Sequence, residues 1–318
     1  MSENAKNLPV IVAGGGIGGL AAALALVRQG FQVTVLEQAP EIGEIGAGIQ
    51  LGPNAFHAFD ALGVGDKARG RAVYTDYMVM HDALDESQVG KIETGEAFRQ
   101  RFGNPYAVIH RVDVHLSLLE GAQETGKVEF HTSTRIVKVE QEGETVTAID
   151  QNGKRWVGQA LIGADGGRSQ VRKQLDLSFE GHTFPETTIL ATTHFPFHEH
   201  LPQLAYINYC WSASGTFSLL RLKHLWRVSL YPDEGQSMEE AVGMASVLDK
   251  LQRIAPGAAA QPVLEVRPYR IHQRVVQQYV VGRVILVGDA AHLNSPSGGM
   301  GMKSLGICQQ GRRRSDPL

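Results

Sequence analysis

Cysteine is almost missing from this chain: there are two in 318 residues, Cys210 and Cys308. Two cysteines cannot build a disulfide framework or a thiolate metal site, so small stapled scaffolds and zinc modules are excluded and a reducing cytoplasm fits. Cys210, between Tyr209 and Trp211, reads as a core residue rather than a nucleophile. Charge of one sign is also lacking. Thirty Lys and Arg against 33 Asp and Glu leave a net charge of −3, which implies no surface for nucleic acid or an anionic membrane. Repeats, heptads and low-complexity tracts are absent. One long uncharged run exists, the twenty residues Leu8–Val27, enough for a membrane span by length alone. It holds five glycines in one turn and has no basic cluster before it. It therefore reads as a buried strand plus an interior helix, not a span or a signal peptide.

Glycine is abundant, 36 residues, and much of it falls in three clusters. The first lies in Val10–Glu37, VIVAGGGIGGLAAALALVRQGFQVTVLE. Gly14, Gly16 and Gly19 form G-x-G-x-x-G around Ile17 and Gly18, and Ala23, Leu26, Gly30, Val33 and Glu37 follow at the spacings of the longer dinucleotide-binding fingerprint. Gly14 permits the tight turn, Gly16 leaves room for a pyrophosphate, and Gly19 lets the helix approach the strand. The helix N-terminus then offers N–H groups and partial positive charge to phosphates. Glu37 is placed to accept from both ribose hydroxyls and would repel a 2′-phosphate.

The second cluster, ALIGADGGRSQVR at 160–172, reads as a buried strand leading into a helix that Ser169 or Asp165 can cap. The third, RVILVGDAAHLNSPSGGMGM at 283–302, places Gly288-Asp289 at the C-terminal end of a short apolar strand, where ligands bind in open α/β sheets. Its Pro296–Gly301 run offers consecutive backbone N–H groups that suit an anion.

On these three motifs, with GEIGAGIQLGPNA at 43–55 and HRVDVHLSLL at 110–119, the chain resembles the group A flavoprotein aromatic hydroxylases of the salicylate and 3-hydroxybenzoate hydroxylase type. The resemblance implies an α/β fold: a Rossmann-like FAD-binding domain of the glutathione-reductase/4-hydroxybenzoate hydroxylase type, with an inserted β-sheet substrate domain. It implies FAD as cofactor, NADH or NADPH as co-substrate, and a small aromatic substrate, a phenol or aromatic acid, hydroxylated with O2 through a flavin C4a-hydroperoxide. Cofactor contacts carry over to Gly14, Gly16, Ile17, Gly18, Gly19, Glu37, Gln38, Gly48, Arg111, Asp165, Asp289, Pro296, Gly299, Gly301 and Met302. No side chain is singled out as catalytic; the backbone of Pro296, Gly298 and Gly299 lies at the flavin, where N–H groups stabilise negative charge. Relatives of this kind form dimers, which leaves a homodimer open; a cytoplasmic protein with no membrane or nucleic-acid partner is expected. Two rival readings are a flavin oxidoreductase without oxygen insertion and a non-catalytic FAD-binding remnant.

The FAD domain is expected at 1–72, 98–180 and 270–318, and the substrate domain at 73–97 and 181–269. Within the latter, Ala205–Trp211, Thr216–Leu222 and Trp226–Tyr231 read as strands and Gln236–Ala255 as a helix stopped by Pro256-Gly257. Tyr209, Thr216, Arg221 and Arg227 are the polar candidates for a pocket over the flavin. The chain departs from the 3-hydroxybenzoate 6-hydroxylase type, which carries a histidine base where Thr216 stands. His292 is read as structural. His194, His198 and His200 are read as a surface loop rather than a metal site, with Pro196 breaking any helix there. Lys303 replaces the asparagine that follows GMGM in such hydroxylases, and SLGICQQGRRRSDPL lacks helical periodicity. The C-terminal end is therefore expected to be a truncation or frameshift that costs the FAD domain packing helices, with Arg312–Arg314 on a solvated tail.

Overall fold

The computed structural model describes residues 3–43, 46, 48–82, 87–212 and 215–294. The sequence opens as expected, with the strand Val10–Ala13, the helix Ile17–Arg28 and the strand Val33–Leu36. The uncharged run is thus divided between a strand and a 12-residue helix, and no helix among the described residues is long and apolar enough to cross a membrane. Val10–Ala13 is an interior strand of a six-stranded sheet, flanked in parallel by Ala160–Gly163 and Val33–Leu36. All four of its residues are buried, which is why it reads as an unbroken apolar run rather than an alternating one. Val284–Leu286 and Val128–His131 extend the parallel array on either side.

One face of this sheet packs the helices Ile17–Arg28, Pro53–Leu62 and Arg111–Glu124 around Leu20, Leu24, Phe56, Phe59 and Leu118. The other face is covered by an antiparallel meander, 136–158, through Ile136, Val146 and Ala148 against Ile11, Leu161 and Leu286. The α/β class expected from the sequence is the one observed.

A second sheet of eight strands contains Ile207–Ser212, Gly215–Arg221 and Trp226–Leu230, within two residues of the expected strands. Period-two alternation divides its faces. Trp226, Val228 and Leu230 join Ile189, Ala191 and Leu219 under the helix Met244–Ile254, through Val247 and Leu251. Arg227 and Ser229 consequently face the other way. The segment 236–255 is not one helix. Met238–Ala241 is closed by a Ser237–Glu240 capping box, and Gly243 restarts the chain as N-cap of Met244–Ile254. Two long strands, Glu180–Thr193 and Val263–Val275, were not legible beforehand. They run across the positions 180/181 and 269/270 at which the two parts were divided. The third sheet is small and antiparallel: Gly48–Leu51 pairs with Ala107–His110, which also pairs with Val73–Tyr74.

Candidate functional site

The three glycine clusters meet at the C-terminal ends of the parallel strands. Gly14 has φ +111°, and a Cβ there would lie 2.4 Å from the Ala164 carbonyl oxygen, so the first cluster abuts the second. A Cβ on Gly19 would lie 1.9 Å from the Gly14 carbonyl oxygen. Helix and strand therefore approach as closely as backbone allows. Gly18 faces the Cα of Gly288 in the third cluster. Gly16 is the N-cap of Ile17–Arg28 and no side chain caps that end, which leaves the first-turn N–H groups for a ligand. Buried Ile17 anchors the same turn in the core.

Glu37 follows the strand Val33–Leu36. Its Oε2 accepts from the Gly15 N–H at 2.6 Å and its Oε1 from the Ala39 N–H at 2.8 Å. Each oxygen keeps a lone pair for a further donor. Gln38 beside it is exposed. A buried histidine fixes the loop from the other side: His115 Nε2 donates to the Gly15 carbonyl at 2.8 Å.

Asp165 and Ser169 both cap the helix Gln170–Gln174. Ser169 Oγ accepts from the Arg172 N–H and donates to Asp165 Oδ1, while Asp165 Oδ2 accepts from the N–H groups of Gln170 and Val171. Asp165 is thus largely engaged in its own turn. Asp289 differs. It is exposed, in a single 3-10 turn at Gly288–Ala290 just past Val284–Leu286.

Between this cradle and the eight-stranded sheet lies a group of polar side chains from separate parts of the chain. Arg227 Nη1 donates to the Gly48 carbonyl at 2.9 Å and Nη2 to Ser229 Oγ at 2.8 Å. A Cβ on Gly48 would lie 2.7 Å from Leu222, so the strand Gly48–Leu51 lies directly against the sheet. Tyr106 donates to Gln50 Oε1 at 2.9 Å and Gln50 Nε2 donates to the Tyr209 hydroxyl at 2.8 Å. Burial, with Tyr209 alongside, pushes the Tyr106 phenol up to about 12. Tyr269 is also raised, first by burial and then by the Asp289 carboxylate, with Arg111 and Arg227 pulling the other way. Both phenols are therefore neutral donors near pH 7. Arg111 begins the helix Arg111–Glu124 and its stem lies against Gly46. Tyr269 thus sits within electrostatic reach of Arg111, Asp289 and Arg227 at once.

The sequence matches the FAD-binding domain family over residues 7–306. The chain belongs to that family. It is 79% identical over 174 residues to a 3-hydroxybenzoate 6-hydroxylase of Polaromonas naphthalenivorans, an alignment covering 55% of this chain and 44% of that protein. With 3-hydroxybenzoate 6-hydroxylase 1 of Aquipseudomonas alcaligenes it shares 37% identity over 299 residues, 89% of this chain and 74% of the relative. Among solved structures, p-nitrophenol 4-monooxygenase from Pseudomonas putida superposes with a TM-score of 0.84 at 26% identity, covering 94% of this chain and 77% of that one. The chain spans under half the length of the Polaromonas relative.

The residues present fit FAD. An uncapped helix N-terminus behind a glycine turn accommodates a pyrophosphate, and Glu37 retains acceptor capacity where a ribose would lie. Of the pocket candidates, Tyr209 and Arg227 come together. Thr216 does not join them; it is exposed at the end of a hairpin, opposite Trp211. Arg221 is also elsewhere, donating to His198 Nε2 at 2.9 Å and lying over Tyr206. Pro196 does not exclude a helix, because it is the N-cap of the one-turn helix Phe197–His200. The three histidines there have different partners: His194 the carbonyl of His224, His198 Arg221, and His200 the ring of Phe195. Pro296, Gly298, Gly299, Gly301, Met302, Lys303 and Cys308 lie outside the described residues. Sequence reasoning missed Gln50, Tyr106, His115 and Tyr269. The first three lie within or beside motifs already quoted, and Tyr269 lies in a strand that had not been recognised.

Proposed function

We propose that this chain provides the FAD-binding and substrate-facing parts of a monooxygenase that hydroxylates a small aromatic compound, with NADH or NADPH as reductant and O2 as oxidant. One observation carries this reading: the convergence of Arg111, Asp289 and Tyr269 with Arg227, Tyr209 and Gln50 between the glycine cradle and the face of the second sheet. The relatives named above, a 3-hydroxybenzoate 6-hydroxylase and a p-nitrophenol 4-monooxygenase, agree with it. Bound FAD supplies the activation of oxygen. In this reading Gly14, Gly16, Ile17, Gly18, Gly19 and Glu37 hold the ADP portion, with Gln38 and Asp165 near it. Arg111, Asp289 and Gly48 hold the remainder, and Pro296, Gly298, Gly299, Gly301 and Met302 complete the flavin contacts. The division at 1–72, 98–180 and 270–318 against 73–97 and 181–269 belongs to the same proposal, as do a homodimer and a cytoplasmic setting.

The protein's part is positioning. The Tyr106–Gln50–Tyr209 chain fixes one phenol in place, and neutral Tyr269 offers a second O–H. The test is to load the purified protein with FAD, remove the excess, and supply NADH or NADPH with 3-hydroxybenzoate or 4-nitrophenol. Hydroxylated product in proportion to nicotinamide consumed supports the proposal. Peroxide with unchanged ring compound makes the chain an oxidase, and absence of flavin retention makes it a remnant.

A further inference from the structure

Among the described residues, His81 is the only buried side chain with two polar atoms that lack a hydrogen-bond partner, Nδ1 and Nε2. It is 5% exposed. A neutral imidazole carries one donor and one acceptor, and leaving both unmade in the interior costs free energy that an apolar side chain of similar size avoids. The sheet shows what lies beside it. His81 belongs to the strand Tyr77–Asp82, which pairs in parallel with Ile207–Ser212 and sets His81 opposite Cys210. Paired residues share one face of a sheet. Tyr209 takes the face turned to Gln50, so alternation puts Cys210 and His81 on the other face. Phe217 stands opposite Cys210 on its far side and packs on the cluster under the helix Met244–Ile254. This row therefore points away from the glycine cradle. Cys210 is 6% exposed and free, and burial pushes its thiol up to about 12.

A thiol and an imidazole side by side in an apolar row are the donor set of a soft d10 cation. Two donors suffice for linear coordination. Structural zinc takes four, and among the described residues no group of three or more His, Cys, Asp or Glu is gathered. A cation between the two side chains needs sulfur and nitrogen about 4 Å apart, one metal–sulfur and one metal–nitrogen bond of ordinary length. That separation suits a pair whose members make no hydrogen bond to each other. We infer that His81 and Cys210 form a binding site for a soft monovalent cation of the Cu(I) class, held between one ring nitrogen and the sulfur. Binding forms the Cu–S and Cu–N bonds, breaks the S–H bond and releases that proton to solvent; copper enters as Cu(I) and no electron moves. The site lies on the opposite face of the sheet from Tyr209, so it stands or falls independently of the proposed function.

The experiment is anaerobic titration of the purified full chain with Cu(I) against the chromogenic chelator bicinchoninate. Cys308→Ser serves as the reference, so that Cys210 is its one thiol. The reference should withdraw one Cu(I) per chain, and its thermal midpoint should rise as the ion binds the folded state. Cys210→Ser should withdraw none. His81→Leu should bind at least about tenfold more weakly, since losing even a contact that supports a metal ligand costs that much. Without copper, His81→Leu should match or exceed the reference in thermal midpoint, because it removes two unpaired polar atoms. X-ray absorption of the loaded reference needs no further variant and should show one sulfur and one nitrogen bound to copper. A reference chain that takes up no Cu(I), or a His81→Leu chain that binds it as tightly, overturns the inference. So does a His81→Leu chain less stable than the reference, which would mean that a buried water already satisfies the ring, and so does a copper bound by two sulfurs from two chains.

Discussion

Arg172 donates one N–H to the carbonyl of Ala290 and another to the carbonyl of Gly167, both at 2.8 Å, with its flat face over the ring of Phe179 at 3.8 Å. Arg172 closes the second glycine cluster and Ala290 follows Asp289 in the third. One buried guanidinium therefore fixes the position of the exposed carboxylate relative to the cradle. The planar fork suits two carbonyls lying in different directions, which a single ammonium cannot serve as well.

Replacing it tests that link. Arg172→Lys should leave one buried carbonyl unpaired and lower the stability to urea by about 1–3 kcal/mol, with weaker retention of FAD because Asp289 loses its support. An unchanged urea midpoint would show that the contact is ornamental.

Gly14 and Gly30 separate two costs that are usually confounded. Both have positive φ, +111° and +92°, but a Cβ on Gly14 meets the Ala164 carbonyl while one on Gly30 meets nothing within 4 Å. Gly30→Ala should cost about 1 kcal/mol, the strain of a left-handed alanine alone. Gly14→Ala should cost distinctly more and abolish FAD retention, because the second cluster must move. Equal losses in paired denaturation curves would mean that the close approach is not rigid.

Much of this architecture was legible because local rules and burial agree. The fully apolar Val10–Ala13 and Leu161–Ile162 are what a parallel strand buried on both faces requires, and the glycine spacing follows from backbone contacts made within one β-α-β unit. The aromatic and β-branched strands of the second sheet alternate cleanly enough to be placed within two residues. Legibility failed where the fold is made by distant partners. Val263–Val275 contains Pro268 and three arginines and shows no apolar period; its pairing with Glu180–Thr193 supplies the order that its own sequence does not announce. Tyr269 was hidden for the same reason. Arg221 and Arg227 look alike in sequence, one at each end of a hairpin. Only the side of the sheet and the approach of Gly48 distinguish the residue at the site from the one held by His198.

The His198–Arg221 contact gives a pH prediction. A guanidinium can only donate, so Nε2 of His198 must accept, and the ring is neutral with its proton on Nδ1. Burial, and then the Arg221 charge, hold its pKa below the ordinary 6.5. The unfolded chain therefore binds the proton first. The stability this ring contributes is present above pH 6.5 and is lost as the pH falls through the depressed folded value. Against His198→Gln, which keeps an acceptor and cannot titrate, the parent's urea midpoint should fall more steeply between pH 7.5 and pH 5. Parallel curves would place the titration elsewhere.

His115 is the residue through which the cradle is most simply tested without touching a glycine. It is 1% exposed, and its Nε2–H is given to the Gly15 carbonyl, whose own N–H is given to Glu37. The peptide groups of Gly15 are thereby held from both sides, by a helix one hundred residues later in the chain and by the end of the neighbouring strand. Removing the donor in His115→Leu keeps the side chain apolar and close in size, but orphans a buried carbonyl at about 1–3 kcal/mol and frees the loop to turn. FAD affinity should drop by about tenfold, more than the global urea midpoint alone would account for, because the helix N-terminus and Glu37 no longer face the ligand in one arrangement. His115→Gln, whose amide can still donate, should recover part of that affinity. If His115→Leu lowers stability but binds FAD as tightly as the parent, the histidine is only core, and the alignment of the cradle is set by Gly14 and Gly19 alone.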